Sequence, residues 1–141
     1  MTYMTIRPAT AEDVPWLVET ATAAYAGLVE GFEVAGTERW IKACIADPDT
    51  VVIRGDATAG FAQVVRCPWS PTRTEMDLIH LFGTQSGALP WEACQVVAAL
   101  DVARKTLGCA RMYVGSIYAD LEPIARRLGG RRLGSLYALE G

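Results

Sequence analysis

Val51-Val-Ile-Arg-Gly-Asp-Ala-Thr-Ala-Gly-Phe-Ala-Gln-Val-Val-Arg66 decides the fold class. Two β-rich runs, Val51–Arg54 and Ala59–Arg66, flank Gly55-Asp-Ala-Thr58, a hairpin turn. Cys67-Pro-Trp-Ser-Pro-Thr72 interrupts the second run, because its two prolines lack amide donors. Thr74–Phe82 then resumes as a strand. A long amphipathic helix follows over Pro90–Leu107, with Ala93, Val96, Val97, Leu100 and Leu107 on one face and Gly108 as its C-terminal cap.

Upstream of the hairpin, Tyr3–Arg7 reads as a short strand. Thr10-Ala-Glu-Asp13 matches the capping-box pattern, in which side chains satisfy free amides at a helix start. Val14, Leu17, Val18, Ala21 and Tyr25 follow at helical spacing, and Pro15 requires that the first turn lie there. Gly27–Glu33 is a loop. A second helix over Gly36–Ala46 buries Trp40, Ile41, Cys44 and Ile45, and Asp47-Pro48 stops it. Downstream come a strand over Arg111–Ile117, a short helix over Asp120–Leu128 and a last strand over Arg132–Leu139. The order β-α-α-β-β-β-α-β-α-β predicts an α/β domain of the α+β kind, a mixed, mostly antiparallel sheet flanked by helices.

The chain has 141 residues, 51% of them hydrophobic and 21% charged, which suits one domain with a real core. A net charge of −3 argues against nucleic-acid binding, which calls for clustered Lys and Arg. The one basic cluster, Arg126-Arg127 with Arg131-Arg132, reads as a solvated surface. No window is apolar enough to span a membrane, and no signal segment opens the chain, so a cytoplasmic location is expected. The four cysteines (Cys44, Cys67, Cys94, Cys109) and single histidine have no metal-ligand spacing, and the cysteines read as small buried hydrophobes.

Three motifs carry a resemblance. Ile6-Arg-Pro-Ala-Thr-Ala-Glu-Asp13 opens the chain, Ala59-Gly-Phe-Ala62 lies in the third strand, and Ala125-Arg-Arg-Leu-Gly-Gly130 ends the last helix. In their order and spacing they resemble the GNAT superfamily, the Gcn5-related N-acetyltransferases. That resemblance implies a V-shaped split between the fourth and fifth strands where acetyl-CoA binds. Backbone groups near Leu81–Gly83 would pair with the pantetheine arm, and the diphosphate would sit on the helix N-terminus near Pro90. The family's glycine-rich turn corresponds to Ala88-Leu-Pro-Trp-Glu-Ala93, of which only Ala93 fits. Trp91 would crowd the phosphates and Glu92 would set a negative charge beside them. A shifted alignment uses Gln85, Ser86 and Gly87 as an anion-binding nest instead.

The resemblance also implies a carboxylate base on the fourth strand and a tyrosine acid after the fifth. Asp77 and His80 are the base candidates near Glu75, and simple alternation places these two on opposite faces. Ala125 stands where the family has its tyrosine, which leaves Tyr118 as the acid. Gly130 replaces an aromatic residue.

Three functions follow. The first is a GNAT-fold protein whose degenerate cofactor and catalytic motifs make it a non-catalytic binding or structural module, working through a protein partner or a second copy. Met112-Tyr-Val-Gly115 and Leu136-Tyr-Ala-Leu-Glu140 are similar to short phage-encoded GNAT-like chains, which for this reading implies a virion-associated protein. The second is an active N-acetyltransferase using Asp77 or His80 with Tyr118. The third is a small-molecule sensor that keeps the cleft without the chemistry.

Overall fold

A computed structural model describes residues 5–84, 90–116 and 120–140. Strand β1 (Arg7–Pro8) leads through a 3-10 turn (Ala11–Asp13) into α1 (Val14–Tyr25) and α2 (Val34–Ala46). Strands β2 (Thr50–Arg54), β3 (Thr58–Arg66) and β4 (Thr74–Gly83) follow, then α3 (Pro90–Thr106), β5 (Met112–Tyr113) and α4 (Glu122–Arg127). The strands form one sheet in the order β1-β2-β3-β4-β5, antiparallel except for the parallel β4–β5 pair.

Alternation along the strands divides the core in two. Val52, Ala59, Phe61 and Phe82 pack against Leu17, Ala21, Ile41 and Cys44 of α1 and α2. Ile53, Ala62, Met76 and Leu78 pack against Val96, Val97 and Leu100 of α3 and Leu121 before α4. Helix α3 lies close because β3 carries Gly60 there. A Cβ at that position would stand 2.8 Å from Val96 Cγ1 and 2.9 Å from Leu100 Cδ1.

The start of α1 has an electrostatic lock. Thr10 donates its amide to Asp13 at 2.8 Å, and Pro15 sits in the first turn of α1, where its missing amide costs nothing. Asp13 also accepts from Arg7 at 2.7 and 2.8 Å and from Arg54 at 3.1 Å, tying β1, α1 and β2 together.

Four expectations need correction. Arg132–Leu139 is not a strand; it runs as an exposed segment without regular structure, and Leu136 and Leu139 are 74% and 99% exposed. A strand needs a ladder partner, and β5, the neighbour it would pair with, is only two residues long instead of spanning Arg111–Ile117. Trp40 is 39% exposed rather than buried, because it lies on the flank of α2 with its ring stacked on Phe61. Leu107 falls just beyond the end of α3 and is exposed as well.

Candidate active site

Between Phe61 and Ala62 the β3–β4 ladder slips: Phe61 pairs with His80, but Ala62 pairs with Leu78. Ile79 is the extra residue of a β-bulge. The bulge resets the alternation, so Asp77, opposite Gln63, and His80, opposite Phe61, lie on the same face of the sheet. The expectation of opposite faces is corrected, because it assumed an unbroken period of two.

A second irregularity follows immediately. Strand β5 meets β4 only at Met76–Met112 and Asp77–Tyr113. Beyond that rung, among the described residues, the outer edge of β4 from Leu78 to Gly83 has no neighbouring strand. Leu81 and Gly83 therefore present backbone donors and acceptors along an open edge, and Asp77 stands at the crotch of the split. Across the sheet, the register aligns Thr50, Gln63, Asp77 and Tyr113 in one rank.

The charges around the crotch are arranged unevenly. Glu75 accepts from the Tyr113 hydroxyl at 2.5 Å and lies 3.5 Å from Arg111 and 3.7 Å from Arg73. Burial and the neighbouring Glu75 charge push the Asp77 carboxyl above its ordinary range. The Glu75 hydrogen bond and burial push the Tyr113 phenol up. His80 stands edge-on to Tyr25 and Trp40, at ring-centroid distances of 5.9 and 5.2 Å. Burial among these rings lowers its pKa, so the imidazole is neutral at pH 7. Burial thus disfavours the charged form of both groups, raising the carboxyl and lowering the imidazole.

The mouth of α3 differs from the sequence reading. Glu92 does not face outward; it is 3% exposed and turns under the β2–β3 hairpin, where Oε1 accepts the Ala57 amide at 2.7 Å. Gly55 makes room for it, since a Cβ there would lie 2.5 Å from the same oxygen. Trp91 leans outward under the Arg127 guanidinium, 5.0 Å from its ring centroid. The first turn of α3 thus hides its carboxylate and carries a cation beside its amide end, an arrangement that fits an anionic diphosphate. One strand in from the open edge, Thr58 is opposite Gly83, and its buried hydroxyl has no hydrogen-bond partner. Ala93 lies in the same turn of α3 as Glu92. Gln85, Ser86, Gly87 and Tyr118 lie outside the described residues.

Sequence reading missed Tyr113, Gln63 and the bulge. The one hint of a bulge was Leu78-Ile-His-Leu-Phe82, where alternation breaks down. Tyr113 gave no signal, because only strand pairing sets it against Asp77. Gly130 now has a local reason: its amide donates to the Ala125 carbonyl at 2.7 Å, and a Cβ there would meet that oxygen at 2.9 Å.

No family model and no curated protein matches the sequence. Solved structures do match over nearly the whole chain. An aminoglycoside 6'-N-acetyltransferase from Acinetobacter haemolyticus is 12% identical, with a TM-score of 0.73 over 97% of each chain. Glucosamine-6-phosphate N-acetyltransferase from Arabidopsis thaliana is 13% identical, with a TM-score of 0.76 over 99% of each chain. A predicted acetyltransferase from Clostridium acetobutylicum, solved with acetyl-CoA, is 13% identical, with a TM-score of 0.74 over 98% of this chain and 96% of that one. The fold is GNAT-like, and at these identities the likeness speaks for the fold alone. Among the described residues no helix is long and apolar enough to cross a membrane, and no group of three or more His, Cys, Asp or Glu could hold a metal ion.

Proposed function

We propose that this chain binds acetyl-CoA in the split between β4 and β5 and transfers the acetyl group to an amine. The observation that carries this reading is the coincidence, within one turn of sequence, of the Ile79 bulge, the end of β4–β5 pairing and a carboxylate of raised pKa at the crotch. Leu81 and Gly83 would hold the cofactor's arm, and the first turn of α3 with Ala93 and the Gln85–Gly87 segment would hold its diphosphate. Acetyl-CoA, when bound, supplies the acetyl group as an activated thioester. Asp77 takes the proton that the amine gives up, and His80 lines the same face as a neutral wall. Tyr118 keeps the role of acid from the sequence reading.

Calorimetric titration with acetyl-CoA and with CoA tests the proposal. Micromolar, saturable binding that disappears in Gly87→Glu is the expected result. No heat at millimolar ligand would overturn it.

A second reading is the one that sequence alone favoured, a non-catalytic binding or structural module, including a phage-encoded, virion-associated one. The exposed apolar run of Leu133, Leu136, Tyr137 and Leu139 and the exposed Trp69 favour it, since such surfaces commonly mark protein contacts. In that reading the C-terminal segment joins a second copy. Light scattering would then report a multimer that Leu136→Lys reduces to the monomer mass, and an unchanged mass would exclude this surface.

A further inference from the structure

The rank Thr50–Gln63–Asp77–Tyr113 does more than align a base with a tyrosine. Its first half forms the floor of a cavity of about 380 Å³ between α2 and the sheet, roofed by Trp40, Ala43 and Cys44 and reaching Ile79 and His80. Asp47 stands at its edge. That carboxylate accepts the Asp49 amide at 2.9 Å and the Thr50 hydroxyl at 2.8 Å, which fix it in place. The same two bonds hold its pKa below the ordinary value, so it is ionised at neutral pH.

None of the described residues lining the cavity is Lys or Arg. Arg73 and Arg111, just before β4 and β5, lie 3.7 and 3.5 Å from Glu75. The cavity therefore offers a fixed anion and an aromatic wall of Trp40 and His80, and Asp77, outside its lining, follows Gln63 as the next residue along the rank. Such a wall attracts ammonium groups. Thr50 and Asp77 are two strands apart, about 10 Å by ordinary strand spacing. An extended alkyl diamine bridges that span, with one charged end on each carboxylate.

We propose that this cavity is the acceptor site and that it takes an extended diammonium chain, an alkyl diamine or a lysine-like side chain, with one end held at Asp47 and the other delivered to Asp77. The fate of the amine rests on the acyltransferase reading above; its binding does not. In transfer, the ammonium at Asp77 first gives one proton to that carboxylate; the free amine then forms the new C–N bond, the thioester C–S bond breaks, and the nitrogen's second proton leaves with the CoA sulfur as the thiol. An acceptor bearing phosphate is disfavoured, because the cavity offers it no cation.

Cadaverine, n-butylamine and glucosamine 6-phosphate are titrated into the whole protein, followed by Trp fluorescence and calorimetry. Acetyl-CoA is titrated into the same sample. Cadaverine is expected to saturate the wild type, n-butylamine to bind about tenfold more weakly for want of the second charge, and glucosamine 6-phosphate not to bind. Asp47→Asn should weaken cadaverine binding by about fivefold to tenfold. Asp47 also holds its own turn, so Gln63→Lys, at an exposed position on the cavity floor, is the second variant; it should abolish binding with an unchanged thermal melt.

Cadaverine binding that is absent, or equal in wild type and Gln63→Lys, overturns the inference. Diamine binding without acetyl-CoA binding would leave the site standing and remove the acyltransferase reading. Acetyl-CoA binding without diamine binding would do the reverse.

Discussion

Asp77 is the residue on which the chemistry turns. Its raised pKa has two causes, burial first and the Glu75 charge second, and both favour the protonated form. As a base it must be deprotonated to act. The rate kcat/KM should therefore fall as pH drops through its folded-state pKa, at a pH above the ordinary carboxylate range. His80, shifted below its ordinary 6.5, should add no inflection above that value. Asp77→Asn should lower kcat/KM by about a hundredfold or more, the usual scale of general-base loss, while leaving acetyl-CoA affinity unchanged. Equal kcat/KM in the variant, or a lost cofactor titration, would move the base elsewhere.

At the scale of elements, a single carboxylate joins α3 to the β2–β3 hairpin. Glu92 reaches Ala57 only because Gly55 has no side chain in its way. Gly55→Ala forces a Cβ against the Glu92 carboxylate, which lies inside the fold and cannot swing outward freely. A loss of about 1–3 kcal/mol in denaturant midpoints is expected, as for other overpacked sites. Glu92→Ala should cost a similar amount, because it leaves the Ala57 amide without its partner. An unchanged midpoint in both would mean that the hairpin and helix are held by apolar contacts alone.

Across the whole molecule, the Asp13 lock ties three elements at the sheet's edge. The Arg7 hydrogen bond above all, with Thr10 and Arg54, holds its carboxyl far below the usual range, against the opposing effect of burial. A folded-state pKa that is depressed gives stability above the unfolded value, near 4, and that stability is lost as pH falls toward the folded value. Asp13→Asn should cost about 3 kcal/mol at pH 7, since Arg54 is left partly buried and short of a partner. Thermal melts of wild type and variant should converge as the pH is lowered below 4; a constant gap would show that charge is not the cause.

The element order, the capping pattern at Thr10–Asp13, the hairpin at Gly55–Thr58 and the apolar face of α3 were legible in the chain, because each depends on local propensity and on periodicity within one segment. The resemblance to the GNAT superfamily rested on the same local motifs, and the strand read over Thr74–Phe82, which holds Asp77 and Leu81, falls one residue short of β4 at Gly83. Only the tertiary structure decided which way those residues face. The Ile79 bulge is defined by pairing with β3, the split by where β5 stops pairing, and the burial of Glu92 by the hairpin folded over it. The last segment tells the same lesson in reverse: Arg132–Leu139 has a strand's composition but no ladder beside it. A strand is a relation between segments, and its residues alone do not make one.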